Sequence, residues 1–488
     1  MSTAATAASA APRTLADLPG PRGLPLLGNA LQIQRDRLHQ QLEGWAQVHG
    51  DPFVFRIGGR QFLVVSSPEA IATVLRRRPD GFRRSERVER ASLDFGFLGL
   101  FSANNDTWRR QRPMVLAGLD PAHIRTFFPM LVAVTDRLRR RWEHAADTGA
   151  VIDLQADLMR YTVDVTTGLA FGEDLNTLET SGDDTIQKHL NVLMPALFQR
   201  ILSPVEPPRW LRKLRDRALR PHTQALHAAV QAFIAKTRAR LDAQPALRDN
   251  PENLIQALVA ARDREGSGVT DEDVSGNVLT MLLAGEDTTA NTLAWMFWLL
   301  HANPRAAAEA RAEVDAVLQG AQGVQDLAQL SRLDLVEACA HETMRLKPVA
   351  PFIMNQAQQD LVVGDVAVPR GSIVVCLMRP PGLQAGTFPQ PQAFDPARWV
   401  GEQGAAHAMA SAKRATMPFG AGPRMCPGRY LALAEIKLAA AMLLANFDIE
   451  HVAPEGGGEP RESVAIVMAP VGLRMRLRRR STARAAAA

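Results

Sequence analysis

Apolar and polar positions recur in two different periods along this chain, and the change of period marks its architecture. From Phe53 to Val65 the run FVFRI-GG-RQFLVV holds two β-forming stretches around Gly58-Gly59, which predicts a hairpin with a two-residue turn. Ser67-Pro68-Glu69 follows, a serine N-cap with proline at the first helical position, so a helix opens there. From that point to about residue 346, long Ala/Leu/Arg-rich stretches repeat with helical period. One of these helices is expected over about 270–303: Thr270 caps it, Asp271, Glu272 and Asp273 fill its first turn, and Pro304 ends it. At 1.5 Å per residue it would run roughly 50 Å, enough to cross a domain. Strand patterns return near 361–376 (DLVVGDVAVPRGSIVVC), a loop-rich section covers 379–425, and a helix is expected to start at Cys426. Gly456-Gly457-Gly458 turn the chain into its final strands, where Leu473, Met475 and Leu477 alternate with arginine. The expected fold is mainly α with small β-sheets drawn from both ends of the chain. Contacts between those ends argue for one domain over 18–480, with disordered segments at 1–17 and 481–488.

Composition narrows this picture. With 488 residues, 46% of them apolar and 22% charged, the chain is neither disordered nor fibrous, and it can bury a cofactor-sized cavity. Its three cysteines, Cys339, Cys376 and Cys426, form no CxxC pair and are too few for a disulfide framework or a cysteine-rich zinc site. The net charge is +5, but six arginines stand at the C-terminal end (Arg474, Arg476, Arg478, Arg479, Arg480, Arg484), and without them it is −1. The basic balance is therefore an end effect, and no nucleic-acid partner is expected. Residues 1–17 carry no apolar targeting core, and no run approaches the ~20 apolar residues that span a bilayer. A cytoplasmic monomer without a transmembrane anchor is expected.

Four places carry chemistry. In FGAGPRMCPG a glycine-rich loop delivers Cys426 to an expected helix start, where free N–H groups and the helix dipole favour thiolate over thiol. Gly420, Gly422 and Gly428 allow the backbone to approach a flat ligand, and Arg424 could pair with a carboxylate on it. A lone cysteine is usually a buried free thiol, but this arrangement suits haem, a metal macrocycle bearing propionates. In the long helix, the middle AGEDTT breaks local rules. Gly285 costs about 1 kcal/mol there. Glu286 and Asp287 are acids inside an apolar stretch, and Thr288 and Thr289 can bond carbonyls one turn back. In HETMR, Glu342 and Arg345 share a helix face. WRRQR, from Trp108 to Arg112, is by itself also compatible with an exposed basic helix start.

FGAGPRMCPG resembles the haem-binding signature of the cytochrome P-450 superfamily, F-x-x-G-x-R-x-C-x-G, at every fixed position. AGEDTT is similar to that family's oxygen-activation motif, HETMR to its E-x-x-R, and WRRQR to its W-x-x-x-R. The motifs stand in the family's order, and the resemblance covers about residues 18–480, with the character of a soluble bacterial-type member. It implies a haem b between the long helix and the cysteine loop. Cys426 would be its axial thiolate ligand and metal ligand, Arg424 would bind a propionate, and Phe419 with Gly420 would cover its proximal face. Trp108 and Arg112 would face a propionate, and Ala284 and Gly285 would let the helix pass close over the ring. Thr288 would hydrogen-bond bound dioxygen, Asp287 would relay protons, and Glu286 would either assist or face water. Glu342, Arg345 and Arg398 (in FDPARW, from Phe394) would form a buried network that fixes the cysteine loop. Two positions depart from the family: Ala397 where glutamate is usual, and Asn355 where many members carry arginine.

The implied function is a haem-thiolate monooxygenase that inserts one atom of O2 into a hydrophobic substrate by hydroxylation or epoxidation. Electrons would come from NAD(P)H through a ferredoxin or flavodoxin and its reductase, since no reductase is expected within the chain. The alternatives are a haem-thiolate peroxygenase or isomerase, and a non-catalytic haem sensor; the acid–threonine pair Asp287-Thr288 argues against both. LDFGFLGLF from Leu93, LNVLMPALFQRIL from Leu190, VAPFIM and VAIVMAP are candidate pocket walls, though most of their residues should be core. The 190–212 stretch, with Pro204, Pro207, Pro208 and Trp210, is a candidate membrane contact.

Overall fold

The computed structural model describes residues 11–481, apart from 120, 173, 181–184, 204–207, 401–411 and 466. Its helices are α1 (Leu38–His49), α2 (Pro68–Arg76), α3 (Glu86–Phe95), α4 (Asn105–Gly118), α5 (Pro121–Thr148), α6 (Leu154–Phe171) and α7 (Thr185–Leu202). The series continues with α8 (Arg209–Ala243), α9 (Leu254–Asp263), α10 (Asp271–Ala302), α11 (Pro304–Leu318), α12 (Leu327–Ser331), α13 (Asp334–Leu346) and α14 (Arg429–Asn446). The strands are β1 (Phe53–Ile57), β2 (Arg60–Val65), β3 (Phe82–Arg83), β4 (Ile152–Asp153), β5 (Phe352–Ala357) and β6 (Leu361–Val363). They continue with β7 (Val366–Val368), β8 (Ile373–Leu377), β9 (Phe447–Pro454), β10 (Glu462–Val464), β11 (Met468–Pro470) and β12 (Leu473–Arg479).

The helical layers close around α10 and α14. Thr270 caps α10 as expected: its side chain accepts from Asp273 N–H, and the Asp273 carboxylate accepts from Thr270 N–H. Both helices are apolar on nearly every side, the pattern of a helix buried all round. Trp142 of α5 and Phe297 of α10 meet edge to face at 6.1 Å between ring centres, both fully buried. No helix among the described residues is long and apolar enough to cross a membrane.

The β-structure joins distant parts of the chain. The predicted hairpin β1–β2 forms with Ile57 opposite Arg60. β2 runs parallel to β8, and a mixed sheet of order β1-β2-β8-β5-β3 results. The VAPFIM stretch, read from sequence as pocket wall, contributes β5, hydrogen-bonded to β8 on one side and β3 on the other. A second sheet of order β4-β12-β9 uses the alternating last strand, with Leu473, Met475 and Leu477 buried.

One expectation about the N-terminal end is corrected. Residues 1–10 lie outside the described residues, but Arg13 is already fixed: it bridges to Val366 and forms an ion pair with Asp365 at 2.7 Å. At the other end, four of the arginines that set the basic balance meet acids. Arg474, Arg478, Arg479 and Arg480 pair with Asp153, Asp448, Asp147 and Asp315. Acids from helices and strands of the same domain thus neutralise the charge locally, while Arg484 lies outside the described residues.

Candidate active site

The cysteine loop is built by backbone closure. Cys426 N–H donates to Phe419 O at 2.9 Å, and a short 3-10 turn covers Gly422–Arg424. Gly420 and Gly422 have φ of +74° and +70°, a region that disfavours side chains. A Cβ on Gly422 would also lie 2.7 Å from Arg76 Cα, so glycine seats the loop against α2. The helix expected to begin at Cys426 begins at Arg429, with Gly428 as N-cap. The sulfur thus precedes the helix, and the Gly428 N–H, Arg112 and Arg429 all favour its thiolate; burial outweighs them and pushes the Cys426 thiol up. Two residues from other elements then clamp the loop. Arg112 on α4 donates through Nη2 to Met425 O at 2.7 Å, so it holds the cysteine segment rather than standing free. Arg424 lies 5.3 Å over the buried Trp108 ring and donates to the carbonyls of Leu100 (3.1 Å) and Ala103 (2.8 Å).

The middle of α10 sorts its polar residues onto different faces. Ala284 and Thr288, one turn apart, share a face; Ala284 is exposed, and Thr288 Oγ1 donates to Ala284 O at 2.8 Å. Asn291 and Thr292 bond the carbonyls of Asp287 and Thr288 in the same way, at 2.8 and 2.7 Å. Asp287 is half-buried, and burial pushes its carboxyl up, toward holding a proton. Glu286 is buried, so it does not face water. Gly285 also meets a neighbouring helix. A Cβ there would come 2.9 Å from Thr166 Oγ1 on α6, so the glycine serves the close packing of α6 against α10.

Glu342 on α13 collects donors from two segments, its own helix and residues 395–399. Arg345 donates twice to it, through Nε and Nη2, both at 2.7 Å; Arg398 Nε adds a bond at 3.0 Å and Trp399 Nε1 one at 2.8 Å. Asp395 N–H reaches the same carboxylate at 2.9 Å. Arg345 also bonds the carbonyls of Gly382, Pro391 and Ala393, which pins the divergent 379–395 segment. Trp399 and the Asp395 backbone supply donors beside Ala397, the position where glutamate is usual.

Two groups escaped the sequence reading. Glu435 on α14 is buried, its carboxyl is pushed up to about 8 by burial despite a bond from Thr289 of α10, and its Oε2 has no partner. The signal was there: an acid inside the apolar run LALAEIKLAAAM. The second group is Arg78 and Arg84, which stand near Arg424; burial pushes the pKa of Arg78 down to about 10, and burial with repulsion from neighbouring arginines pushes those of Arg84 and Arg424 down to about 9 and about 8. No sequence pattern marks them.

The expected pocket walls are mostly core. Leu190, Leu193, Leu197 and Ile201 are buried in the main cluster, and Val464 and Met468 pack on Trp295. The 97–103 loop docks on α10, where Leu100 N–H donates to Asn277 Oδ1 at 2.9 Å. Pro204 and Pro207 lie outside the described residues; Pro208 caps α8, and Trp210 is 65% exposed.

These residues fit a haem on chemical grounds. Beside a loop thiol stand four guanidinium groups, those of Arg78, Arg84, Arg112 and Arg424. Among the described residues these bond carbonyls and an amide oxygen, not carboxylates. Such a donor set suits a metal macrocycle with two carboxylates.

Comparison with known proteins agrees. Human mitochondrial 25-hydroxyvitamin D-1 alpha hydroxylase is 28% identical over 480 residues, covering 94% of this chain and 91% of that one. Pentalenene oxygenase of Streptomyces avermitilis is 28% identical over 464 residues, covering 94% and 97%. The crystal structure of the cytochrome P450DA heme domain shares the fold, with a TM-score of 0.82 at 23% identity over 96% of this chain and 99% of that one. The family model for Cytochrome P450 matches residues 18–476. A match of that length, on a fold with this cysteine loop and this interrupted central helix, places the chain in the cytochrome P450 family, the haem-thiolate monooxygenases that draw electrons from NAD(P)H through partner proteins.

Proposed function

We propose that this chain hydroxylates or epoxidises a small hydrophobic substrate, with haem b held on the Cys426 thiolate. The observation that carries the assignment is the clamped loop: Cys426 tied to Phe419, its neighbour Met425 held by Arg112, and guanidinium groups alongside that bond no carboxylate among the described residues. When bound, haem supplies the electron-transfer and oxygen-activating chemistry, and the thiolate tunes it. Arg424 and Trp108 position its carboxylate edge, Arg112 holds the loop that presents the sulfur, and Phe419 and Gly420 form the cover on that side.

The proton supply lies on α10. Asp287 sits next to Thr288, and its raised pKa lets it give up a proton nearer neutral pH than an ordinary carboxylic acid. The Thr288 hydroxyl gives its proton to Ala284 O and keeps two lone pairs; it can donate toward a reacting oxygen by releasing that carbonyl. Glu286, being buried, supports this segment. Glu342, Arg345 and Arg398 hold the framework and take no part in the chemistry.

Electrons are assigned to a ferredoxin or flavodoxin with its reductase. An acidic partner would meet Arg429, stacked 4.2 Å over exposed Tyr430, rather than Arg424, which is committed to the inner cluster. The free buried thiols Cys339 and Cys376 suit a reducing, cytoplasmic setting. Cys426→Ser tests the central claim. The reduced carbon monoxide complex of the parent should show the red-shifted Soret band of a thiolate ligand, and the variant should lose it. A band that survives the substitution refutes Cys426 as ligand.

A further inference from the structure

Family members commonly place an arginine where this chain has Asn355, and Asn355 cannot replace it. The residue is fully buried in β5, its Oδ1 has no partner, and its amide donates only a long 3.5 Å bond to Ile353 O. The neighbouring strand supplies what is missing. β3 pairs antiparallel with β5, Phe82 opposite Ala357 and Arg83 opposite Gln356. One step further, this register sets Arg84 opposite Asn355.

Arg84 is held as a binding residue would be. Its backbone N–H donates to Asn104 Oδ1 at 2.9 Å, and Asn104 Nδ2 returns a bond to Arg84 O at 3.3 Å. Its guanidinium lies 4.3 Å over the Phe101 ring and donates through Nε to Phe101 O at 3.2 Å. Among the described residues the two terminal nitrogens have no acceptor, so the fork that grips carboxylates is left open. Arg424 sits against it: both donate to Phe101 O, and Arg424 Nη1 reaches the same Asn104 Oδ1 at 3.3 Å. Arg78, buried behind them, bonds Leu75 O at 3.1 Å and Ala421 O at 3.2 Å, beside the cysteine loop. Glu89, the acid whose charge reaches Arg424, is ion-paired with Arg83. Three neighbouring cations that bond no carboxylate among the described residues are costly in a protein interior unless an anion joins them. Haem brings two carboxylates, and Arg424 accounts for one.

We propose that Arg84, backed by Arg78, binds the second haem propionate from strand β3 and so replaces an arginine at position 355. This rests on the haem reading above. Haem transfer from the purified holoprotein to excess apomyoglobin tests it without using activity. Arg84→Gln should release haem about tenfold faster than the parent, the scale of one lost charge-assisted bond. Arg84→Lys, which keeps the charge and loses the fork, should fall between. With protein reconstituted with haem dimethyl ester, which lacks both carboxylates, parent and Arg84→Gln should release at equal rates. Equal release of natural haem by parent and Arg84→Gln overturns the proposal, and so does a difference that persists with the ester. The two readings fail separately: a parent with the thiolate carbon monoxide band but no Arg84 effect removes only this proposal, whereas a parent that takes up no haem removes the function.

Discussion

Glu342 and Arg424 are both charges set into the protein interior, yet their surroundings differ in kind. Glu342 is an acid met by two guanidinium groups, an indole N–H and a backbone N–H, and Arg345, its main partner, spends its remaining donors on three carbonyls. Arg424 is a cation met by other cations, Arg84, Arg78 and Arg112. The first cluster is complete with protein alone. The second bonds no carboxylate among the described residues: Glu89, the acid whose charge reaches Arg424, is paired with Arg83. Completed clusters fix architecture, and incomplete ones mark where a ligand belongs.

The largest effect is expected where the complete cluster is broken. Glu342→Ala leaves Arg345 fully buried without an acid and removes the acceptor of Arg398 and Trp399. Loss of one partner of a buried pair costs about 3–5 kcal/mol. That is a large part of the ~5–15 kcal/mol by which a domain is stable. Thermal unfolding should show a steep fall in Tm, or no folded protein at all. A Tm close to that of the parent would mean that the network is not what holds α13 and the 379–395 segment together.

A second effect separates these clusters from a lone buried acid. Glu435 has neither the cations of Glu342 nor a carboxylate partner, and burial pushes its carboxyl up to about 8 from an ordinary value of 4.5. Between those values the folded chain holds a proton that the unfolded chain has released. Stability therefore falls as pH rises through this window, by at most about 1.4 kcal/mol per pH unit. Glu435→Gln keeps the neutral shape and should flatten that slope between pH 5 and 8 in unfolding measurements. Parallel slopes for parent and variant would show that Glu435 is already ionised in the fold.

The same contrast explains what the sequence made legible. FGAGPRMCPG, HETMR and the capped start of α10 could be read because their chemistry is written in residues close together. The triad acid Glu342 and its partner Arg345 are one helical turn apart. Arg84 could not be read that way: its meaning comes from the pairing of β3 with β5, segments joined only by the fold. The packing at Gly285 was hidden for the same reason, since the sequence shows a missing side chain but not that Thr166 of α6 lies against it. Glu435 did leave a trace, an acid in an apolar helix, while Lys437 two residues on pairs with Glu337 at 3.0 Å. The start of α14 moved from Cys426 to Arg429 because the Phe419–Cys426 bond closes the loop before the helix can begin.

The smallest effect on stability, and the sharpest on function, is expected on the open face of α10. Thr288 is only half-buried, and its hydroxyl bonds a carbonyl whose loss of that donor costs little. Alanine is also the better helix former, so Thr288→Ala should stay within about 0.5 kcal/mol of the parent. Haem content and the carbon monoxide band should be unchanged, since the hydroxyl belongs to neither the thiolate loop nor the guanidinium cluster. Without it, Asp287 has no adjacent hydroxyl through which to pass a proton. Reducing equivalents should then leave as hydrogen peroxide, and product formed per NAD(P)H consumed should fall several-fold. Paired assays of peroxide and product measure this directly. Unchanged coupling in Thr288→Ala would move the proton route off this helix face and leave Asp287, with its raised pKa, without a part in proton delivery.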